Sequence, residues 1–265
     1  MASIPAVPVI KRAPKYGVTS RRDTWWRPQL LTVLGLGSFI LYSTWAALQG
    51  GDYRFGPYLS PFYSPELLGA EGWFGDFPDW WPGLLASPAL LILGGPLTFR
   101  TTCYYYRKAY YRSFFADPPA CAVQGFKRGY GGETKLFIFQ NLHRFAFYIA
   151  VGFIVLLTYD AVEAFFFDGA FGIGLGTLIM CANVFFLSLY TFSCHSCRHL
   201  VGGSLNSFYK ARFGIQRYKL WKIISKINEH HMLYAWCSLI SVGVTDIYIR
   251  LLATGTISSE PRLFG

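Results

Sequence analysis

The sequence predicts an all-α membrane protein with five transmembrane helices in a bundle, an N-terminus in the cytoplasm and a C-terminus on the outer side. Of the 265 residues, 53% are hydrophobic and only 14% are charged, whereas soluble domains are about one quarter charged. Several apolar runs also reach the roughly 20 residues that a membrane-spanning helix needs. The predicted spans cover residues 30–48, 84–106, 136–159, 171–193 and 230–253.

The distribution of basic residues predicts the orientation of these spans. Residues 1–27, 100–135 and 198–229 contain 6, 7 and 7 lysines plus arginines, whereas the loop at 49–82 contains 1 and the turn after the third span contains 0. Basic residues accumulate in the cytoplasmic loops of membrane proteins. The net charge of +10 therefore reflects membrane topology, and no nucleic-acid partner is expected.

The segments outside the spans are predicted to be two tails and one large loop. Residues 1–29 form a cytoplasmic tail, which lacks the 7–15-residue apolar stretch of a signal peptide. Residues 49–82 are rich in proline, tryptophan and acidic residues, and predict an outer loop with little regular structure. Residues 254–265 form an outer tail. Within the second span, Pro88 and Pro96 predict kinks.

The strongest chemical signal is the run Cys194-His195-Ser196-Cys197-Arg198-His199 at the end of the fourth span. It contains two of the six cysteines and two of the five histidines. The second, third and fifth spans also present a Cys or His at this end, and helix bundles build metal sites from ligands on different helices at one depth. Cys181 and Cys237 lie inside apolar runs and are expected to be packing residues. The predicted ligands are Cys103, Cys194, Cys197, His143, His195, His199 and His231.

Helical phase places Cys194 on a polar stripe of the fourth span, together with Asn183 and Tyr190. A polar stripe on a membrane helix faces the interior of the bundle. If the helix continues beyond Cys194, His195 and Cys197 flank the same stripe. Cys194 is therefore the central ligand of the predicted site.

The donor types leave three metal groups open. Thiolate and imidazole ligands together suit zinc, or a [2Fe–2S] cluster with two cysteines on one iron and two histidines on the other. Haem b needs two facing histidines, which His143 supplies together with His231 or His195. Attached haem c is excluded because Arg198 follows Cys197 where that motif requires histidine. The residues favour a membrane-embedded electron carrier, and a non-redox membrane protein with structural zinc is the rival interpretation.

Five stretches have a distinctive composition: Trp25 to Pro28, residues 57–65 (PYLSPFYSP), residues 103–112 (CYYYRKAYYR), residues 118–123 (PPACAV) and residues 194–203. They resemble one known family, the membrane anchor subunit of actinobacterial-type succinate dehydrogenase, a respiratory complex II with a single large anchor chain. The resemblance covers nearly the whole chain.

The resemblance implies a multi-pass subunit of the bacterial inner membrane, with a flavoprotein subunit that oxidises succinate and an iron–sulfur subunit as partners. It also implies a Rieske-type [2Fe–2S] cluster near the cytoplasmic face, and a haem b anchor is the alternative within the same complex class. The implied ligands are Cys194 with Cys103 or Cys197 on one iron, and two of His143, His195, His199 and His231 on the other.

On this interpretation electrons pass from the soluble iron–sulfur subunit to menaquinone or ubiquinone, which arrives from the membrane lipid. The chain alone is not expected to oxidise succinate. A quinone pocket needs an apolar slot with donors for the carbonyl oxygens. Trp26, Tyr106 and Arg107 lie at a suitable depth and are the predicted quinone-binding residues.

Overall fold

The computed structural model describes residues 15–69, 71–126 and 142–264, and these residues are mostly helical. A 3-10 turn covers Gly83–Leu85 and a π-helical turn covers His199–Gly203. The helices are α1 (Trp26–Gln49), α2 (Pro88–Ile92), α3 (Gly94–Thr102), α4 (Tyr104–Ser113), α5 (His143–Glu163), α6 (Leu175–Phe192), α7 (His195–Arg198), α8 (Gly214–Asn228) and α9 (His231–Ala253).

Three short antiparallel strand pairs lie in the segments between the long helices. They are β1 (Arg54–Phe55) with β2 (Tyr58–Leu59), β3 (Phe166–Phe167) with β4 (Ala170–Phe171), and β5 (Ile173–Gly174) with β6 (Arg262–Phe264). The last pair joins the segment before α6 to the C-terminal segment. The strands close loops and do not form a layer of the fold.

Within the described residues, four helices are long and apolar enough to cross a membrane: α1, α5, α6 and α9. Large apolar side chains remain exposed along them, for example Leu41 on α1, Val155 on α5 and Ile240 on α9. Contiguous exposed apolar surface of this kind suits lipid contact. The chain is therefore a multi-pass membrane protein, while the fifth span and the orientation stay predictions.

The predicted second span differs from the structure, because residues 84–106 do not form one helix. Pro88 begins α2 and does not kink a longer helix, since proline at the first helical position lacks only an N–H that has no intrahelical acceptor. Pro96 lies in the first turn of α3. Because proline has no N–H, Pro96 cannot donate the hydrogen bond to the Ile92 carbonyl that would continue α2. Cys103 is extended and separates α3 from α4. Of the predicted third span, residues 136–141 lie outside the described residues.

Helix packing brings several helix ends together at one end of the bundle. α9 packs along α6, α5 packs against α3 and α6, and α1 contacts α4 and α9. A core of buried residues lies where α3 meets α4 and α6 meets α7, close to the first turns of α5 and α9. Its members include Phe99, Cys103, Tyr106, Tyr190, Cys194 and Cys197.

The loop at 49–82 contains little regular structure, as predicted, but it is anchored to the helices. The Tyr63 hydroxyl donates to the Ala46 carbonyl of α1 at 2.7 Å. The Tyr58 hydroxyl donates to Glu260 at 2.9 Å, and its ring covers Gly176, where an added Cβ would lie 2.6 Å from the ring. Glycine at position 176 therefore lets the loop pack directly on the first turn of α6.

Candidate metal centre

Two cysteines and two histidines meet inside the core at the end of the bundle. Cys103 joins α3 to α4, Cys194 joins α6 to α7, and His143 and His231 are the first residues of α5 and α9. All four side chains are buried. They form two pairs, with His143 Nε2 2.9 Å from Cys194 Sγ and His231 Nε2 3.4 Å from Cys103 Sγ.

The local backbone explains why the two cysteines point into the core. Each precedes the first residue of a helix in extended conformation, Cys103 with φ −62° and ψ 133° and Cys194 with φ −66° and ψ 146°. The break ends one helix and starts the next in a new direction. At Cys194 the sulfur also accepts a hydrogen bond from the Ser196 N–H at 3.3 Å.

A hydroxyl group holds the second nitrogen of each imidazole. Thr102 Oγ1 lies 2.9 Å from His143 Nδ1, and Ser193 Oγ lies 2.7 Å from His231 Nδ1. Both hydroxyls donate their own proton to a backbone carbonyl, that of Thr98 at 2.6 Å and that of Tyr190 at 3.1 Å. A hydroxyl has one proton to donate, so each must accept from Nδ1–H. This tautomer leaves the lone pair on Nε2, directed at a thiol.

The two halves of the site follow one sequence pattern, Phe99-Arg100-Thr101-Thr102-Cys103 and Tyr190-Thr191-Phe192-Ser193-Cys194. In each, an aromatic residue lies four positions before the cysteine and a hydroxyl residue lies one before it. The aromatic rings stack on the imidazoles, Phe99 on His143 at 4.8 Å between centroids and Tyr190 on His231 at 5.1 Å.

The connections between the two halves are crossed. The half that ends in Cys103 supplies the ring and the hydroxyl that hold His143, while its own thiol faces His231. The half that ends in Cys194 holds His231 and presents its thiol to His143. The site is therefore a pseudo-twofold arrangement of two equivalent Cys and His donors.

The four buried donors lie as two separate Cys and His pairs. Among the described residues, no group of three or more His, Cys, Asp or Glu side chains is close enough to hold one metal ion. Burial raises the pKa of the Cys194 thiol to about 12. The thiol is therefore neutral by itself, and a bound metal would deprotonate it.

Comparison with known proteins identifies the chain. Residues 27–255 match the family model of the actinobacterial succinate dehydrogenase subunit SdhC. The chain belongs to this family. It is also similar to a chain of a solved structure, the Mycobacterium smegmatis Sdh1 complex in the apo form, with 45% identity and a TM-score of 0.84 over 95% of this chain and 96% of that chain. Comparison with curated proteins gives no match.

Family membership confirms the resemblance that the sequence suggested. This SdhC-family chain is a membrane anchor subunit of a succinate dehydrogenase complex, and other subunits of that complex are its expected partners. The chain is a component of an oxidoreductase.

Three of the predicted ligands lie outside the two pairs. Cys197 is buried in the same core, but no hydrogen bond among the described residues joins its sulfur to another predicted ligand. His195 and His199 are exposed, because the helix restarts after Cys194 and turns them outward. They line a cavity of about 720 Å³ together with His143, Tyr104 and Tyr148.

The three predicted quinone-binding residues are not gathered in one pocket. Trp26 is exposed at the start of α1. Tyr106 is buried, and its hydroxyl donates to the Ala235 carbonyl at 2.8 Å and accepts from Arg100 at 2.6 Å. Arg107 is buried with its guanidinium 4.8 Å from the ring centre of Tyr104, which places it behind one wall of the 720 Å³ cavity.

Hydropathy and helical phase do not identify Thr102, Ser193 and Phe99, which hold the two imidazoles. Arg100 contributes only to the count of basic residues in 100–135. The repeated pattern of aromatic residue, hydroxyl residue and cysteine was present in the sequence and would have identified them.

Proposed function

We propose that this subunit transfers electrons from the iron–sulfur subunit of its complex to menaquinone or ubiquinone in the bacterial inner membrane, through a Rieske-type [2Fe–2S] cluster. Cys103 and Cys194 would hold one iron, and His143 and His231 the other. The observation that carries the proposal is the crossed pair of buried Cys and His contacts. The ends of the helices that bear them would lie at the cytoplasmic face.

The symmetry of the donors supports this assignment. A cluster with two thiolates on one iron and two imidazoles on the other has a twofold axis along the line between the irons. The repeat relates Cys103 to Cys194 and His143 to His231 in the same way. Replacing thiolates by imidazoles raises the reduction potential of such a cluster, which favours one-electron exchange with a quinone.

The hydroxyl contacts also support metal binding by Nε2. A metal-bound histidine usually donates its other N–H to a neighbouring acceptor, which fixes the ring orientation and the tautomer. Thr102 and Ser193 fill this role for His143 and His231. The same contacts disfavour haem, because each Nε2 faces a thiol within 3.4 Å and each Nδ1 faces a hydroxyl.

The cavity beside His143 is the site that we propose for the quinone headgroup. Tyr104 and Tyr148 give it aromatic walls, and His195 and His199 give it hydrogen-bonding groups. Ligand sites are generally concave and apolar with a few placed polar groups. His143 separates this cavity from the thiol of Cys194, so the electron path to the quinone would be short.

The deciding experiment is low-temperature EPR spectroscopy with metal analysis on the intact complex, purified through this subunit and reduced with dithionite. We expect a signal with average g near 1.9, which is typical of a histidine-ligated [2Fe–2S] centre, in addition to the signals of the iron–sulfur subunit. A Soret band in the optical spectrum without that signal would show haem. Stoichiometric zinc without that signal would end the redox proposal for this subunit.

Removal of the two hydroxyl groups that orient the imidazoles tests whether these contacts contribute to metal binding. Thr102→Val and Ser193→Ala should each weaken metal binding about 10- to 100-fold, because the imidazoles lose the acceptors that orient them. Thr101→Val is the matched control, since Thr101 is exposed and bonds only to backbone carbonyls of its own helix. Retention of the cluster signal under mild chelation in all three variants would contradict the assigned role.

A further inference from the structure

Arg100 is a cation in an apolar environment with no acidic partner. It lies in α3, one helical turn before Cys103, and no carboxylate lies within ion-pair distance of it in the described part of the chain. Charged residues among membrane helices are costly and generally have a function. The question is therefore what balances this charge.

Neutral groups hold the guanidinium in a fixed position. Nη1 donates to the Tyr106 hydroxyl at 2.6 Å, and Nη2 donates to Ser238 Oγ at 3.2 Å. The guanidinium carbon lies 5.0 Å from the ring centre of Tyr190. Because that ring stacks on His231 at 5.1 Å, only one aromatic ring separates the charge from a donor of the candidate centre.

Arg100 also breaks the pseudo-twofold symmetry, because it is charged and its counterpart in the other half is neutral. In the repeat that ends at Cys103 the position three before the cysteine is Arg100, and in the repeat that ends at Cys194 it is Thr191. The aromatic position directly before it and the hydroxyl position two residues after it agree in type. A polar hydroxyl therefore satisfies this position in one half, and a full positive charge occupies it in the other.

We propose that Arg100 raises the reduction potential of the centre by stabilising its reduced form, an inference that rests on the proposed [2Fe–2S] function. With two ferric ions, two sulfides, two thiolates and two neutral imidazoles, the oxidised cluster has zero net charge. One electron from the iron–sulfur subunit gives it a charge of −1. Only the reduced state is attracted to Arg100, and net charge near a cluster is one of the determinants of its potential.

The size of the effect follows from Coulomb's law. With an effective dielectric constant of about 20, a unit charge at about 10 Å changes the equilibrium constant for adding one electron roughly tenfold. Water would screen the same charge on the protein surface. Arg100 is half-buried between helices, so its charge is screened less than that of an exposed side chain.

The test is a redox titration of the cluster EPR signal in the intact complex. Arg100→Thr copies the other half of the repeat and removes the charge. At the potential where the unaltered cluster is half reduced, the ratio of reduced to oxidised cluster should fall about tenfold, which corresponds to about 59 mV for a one-electron couple. Arg100→Lys keeps the charge and should hold the ratio within about threefold.

Two further variants separate the charge from the packing role of Arg100. Ser238→Asp leaves the guanidinium in place but pairs it with a carboxylate, so the ratio should fall as in Arg100→Thr. Lys219→Gln removes an equal charge from the exposed face of α8 and should change nothing. An unchanged ratio in both Arg100→Thr and Ser238→Asp would overturn the proposal while leaving the cluster assignment intact. Absence of the signal from the unaltered complex would instead refute the proposed function, and this inference with it.

Discussion

Cys194→Ser is expected to reduce electron transfer from succinate to quinone at least 100-fold, while succinate oxidation with a water-soluble acceptor continues at its normal rate. The variant removes one of the two thiols of the buried Cys and His pairs and leaves His143 without its partner at 2.9 Å. Under the proposed function, succinate is oxidised on another subunit of the complex, so only the membrane step should fail. The two rates and the EPR signal are measured on the same purified complex.

Two other cysteines are matched controls for this variant. Cys197 lies in the same buried core three residues later, and Cys237 is half-buried in α9. We expect Cys197→Ser and Cys237→Ser to keep the signal and the quinone reductase rate. Loss of the signal in Cys197→Ser with its retention in Cys103→Ser would move the second thiolate from Cys103 to Cys197. Unchanged quinone reduction in Cys194→Ser would contradict the cluster assignment itself.

The depth of the candidate centre was predictable, because topology alone places Cys103, His143, Cys194 and His231 at the same end of their helices. Selecting these four from the seven candidates was not possible. Helical phase places His195 beside the polar stripe only if the helix continues past Cys194, whereas the extended backbone at Cys194 restarts the helix and turns His195 outward. A single backbone rotation of this kind changes which side chains face the core and leaves the hydropathy pattern unchanged.

The same limit explains the predicted second span. Hydropathy identifies residues 84–106 as apolar, but Pro96 lacks the N–H that would continue α2 and the extended backbone at Cys103 ends α3. The long uninterrupted helices α1, α5, α6 and α9 were found close to their predicted positions. Apolar composition therefore predicted where the long apolar helices lie, and local backbone chemistry decided where the chain remains helical.

The ion pair of Asp246 and Arg250 is not among the sequence predictions, although the two residues lie four apart in the sequence. Residues four apart on a helix lie side by side, and opposite charges at this spacing attract. Arg250 Nε lies 2.9 Å from Asp246 Oδ2, and both side chains are buried in α9. The partners from distant segments were not predictable, because they depend on how α1 and the loop at 49–82 pack on α9.

Asp246→Ala should lower the stability of the folded subunit by about 3–5 kcal/mol, because removing one member of a buried ion pair leaves the other charge uncompensated. The Asp246 carboxylate accepts hydrogen bonds from Tyr42 at 2.5 Å and from Ser60. Arg250 in turn donates to the carbonyls of Ala46 at 3.0 Å and Gly51 at 2.8 Å. The network therefore fixes the end of α1 and the following loop to α9, and its loss should detach both.

Thermal unfolding of the purified complex, followed at this subunit, measures the effect. Glu71→Gln is the control, because Glu71 is 63% exposed and its ion pair with Arg54 contributes at most about 1 kcal/mol. The double variant Asp246→Ala with Arg250→Met should recover part of the lost stability. Removing one partner of a buried ion pair destabilises a protein more than replacing both partners does. Equal stability of Asp246→Ala and Glu71→Gln would mean that packing, and not the charged network, holds the loop. Recovery in the double variant would support the prediction, because it would show that the unpaired Arg250 charge causes the loss.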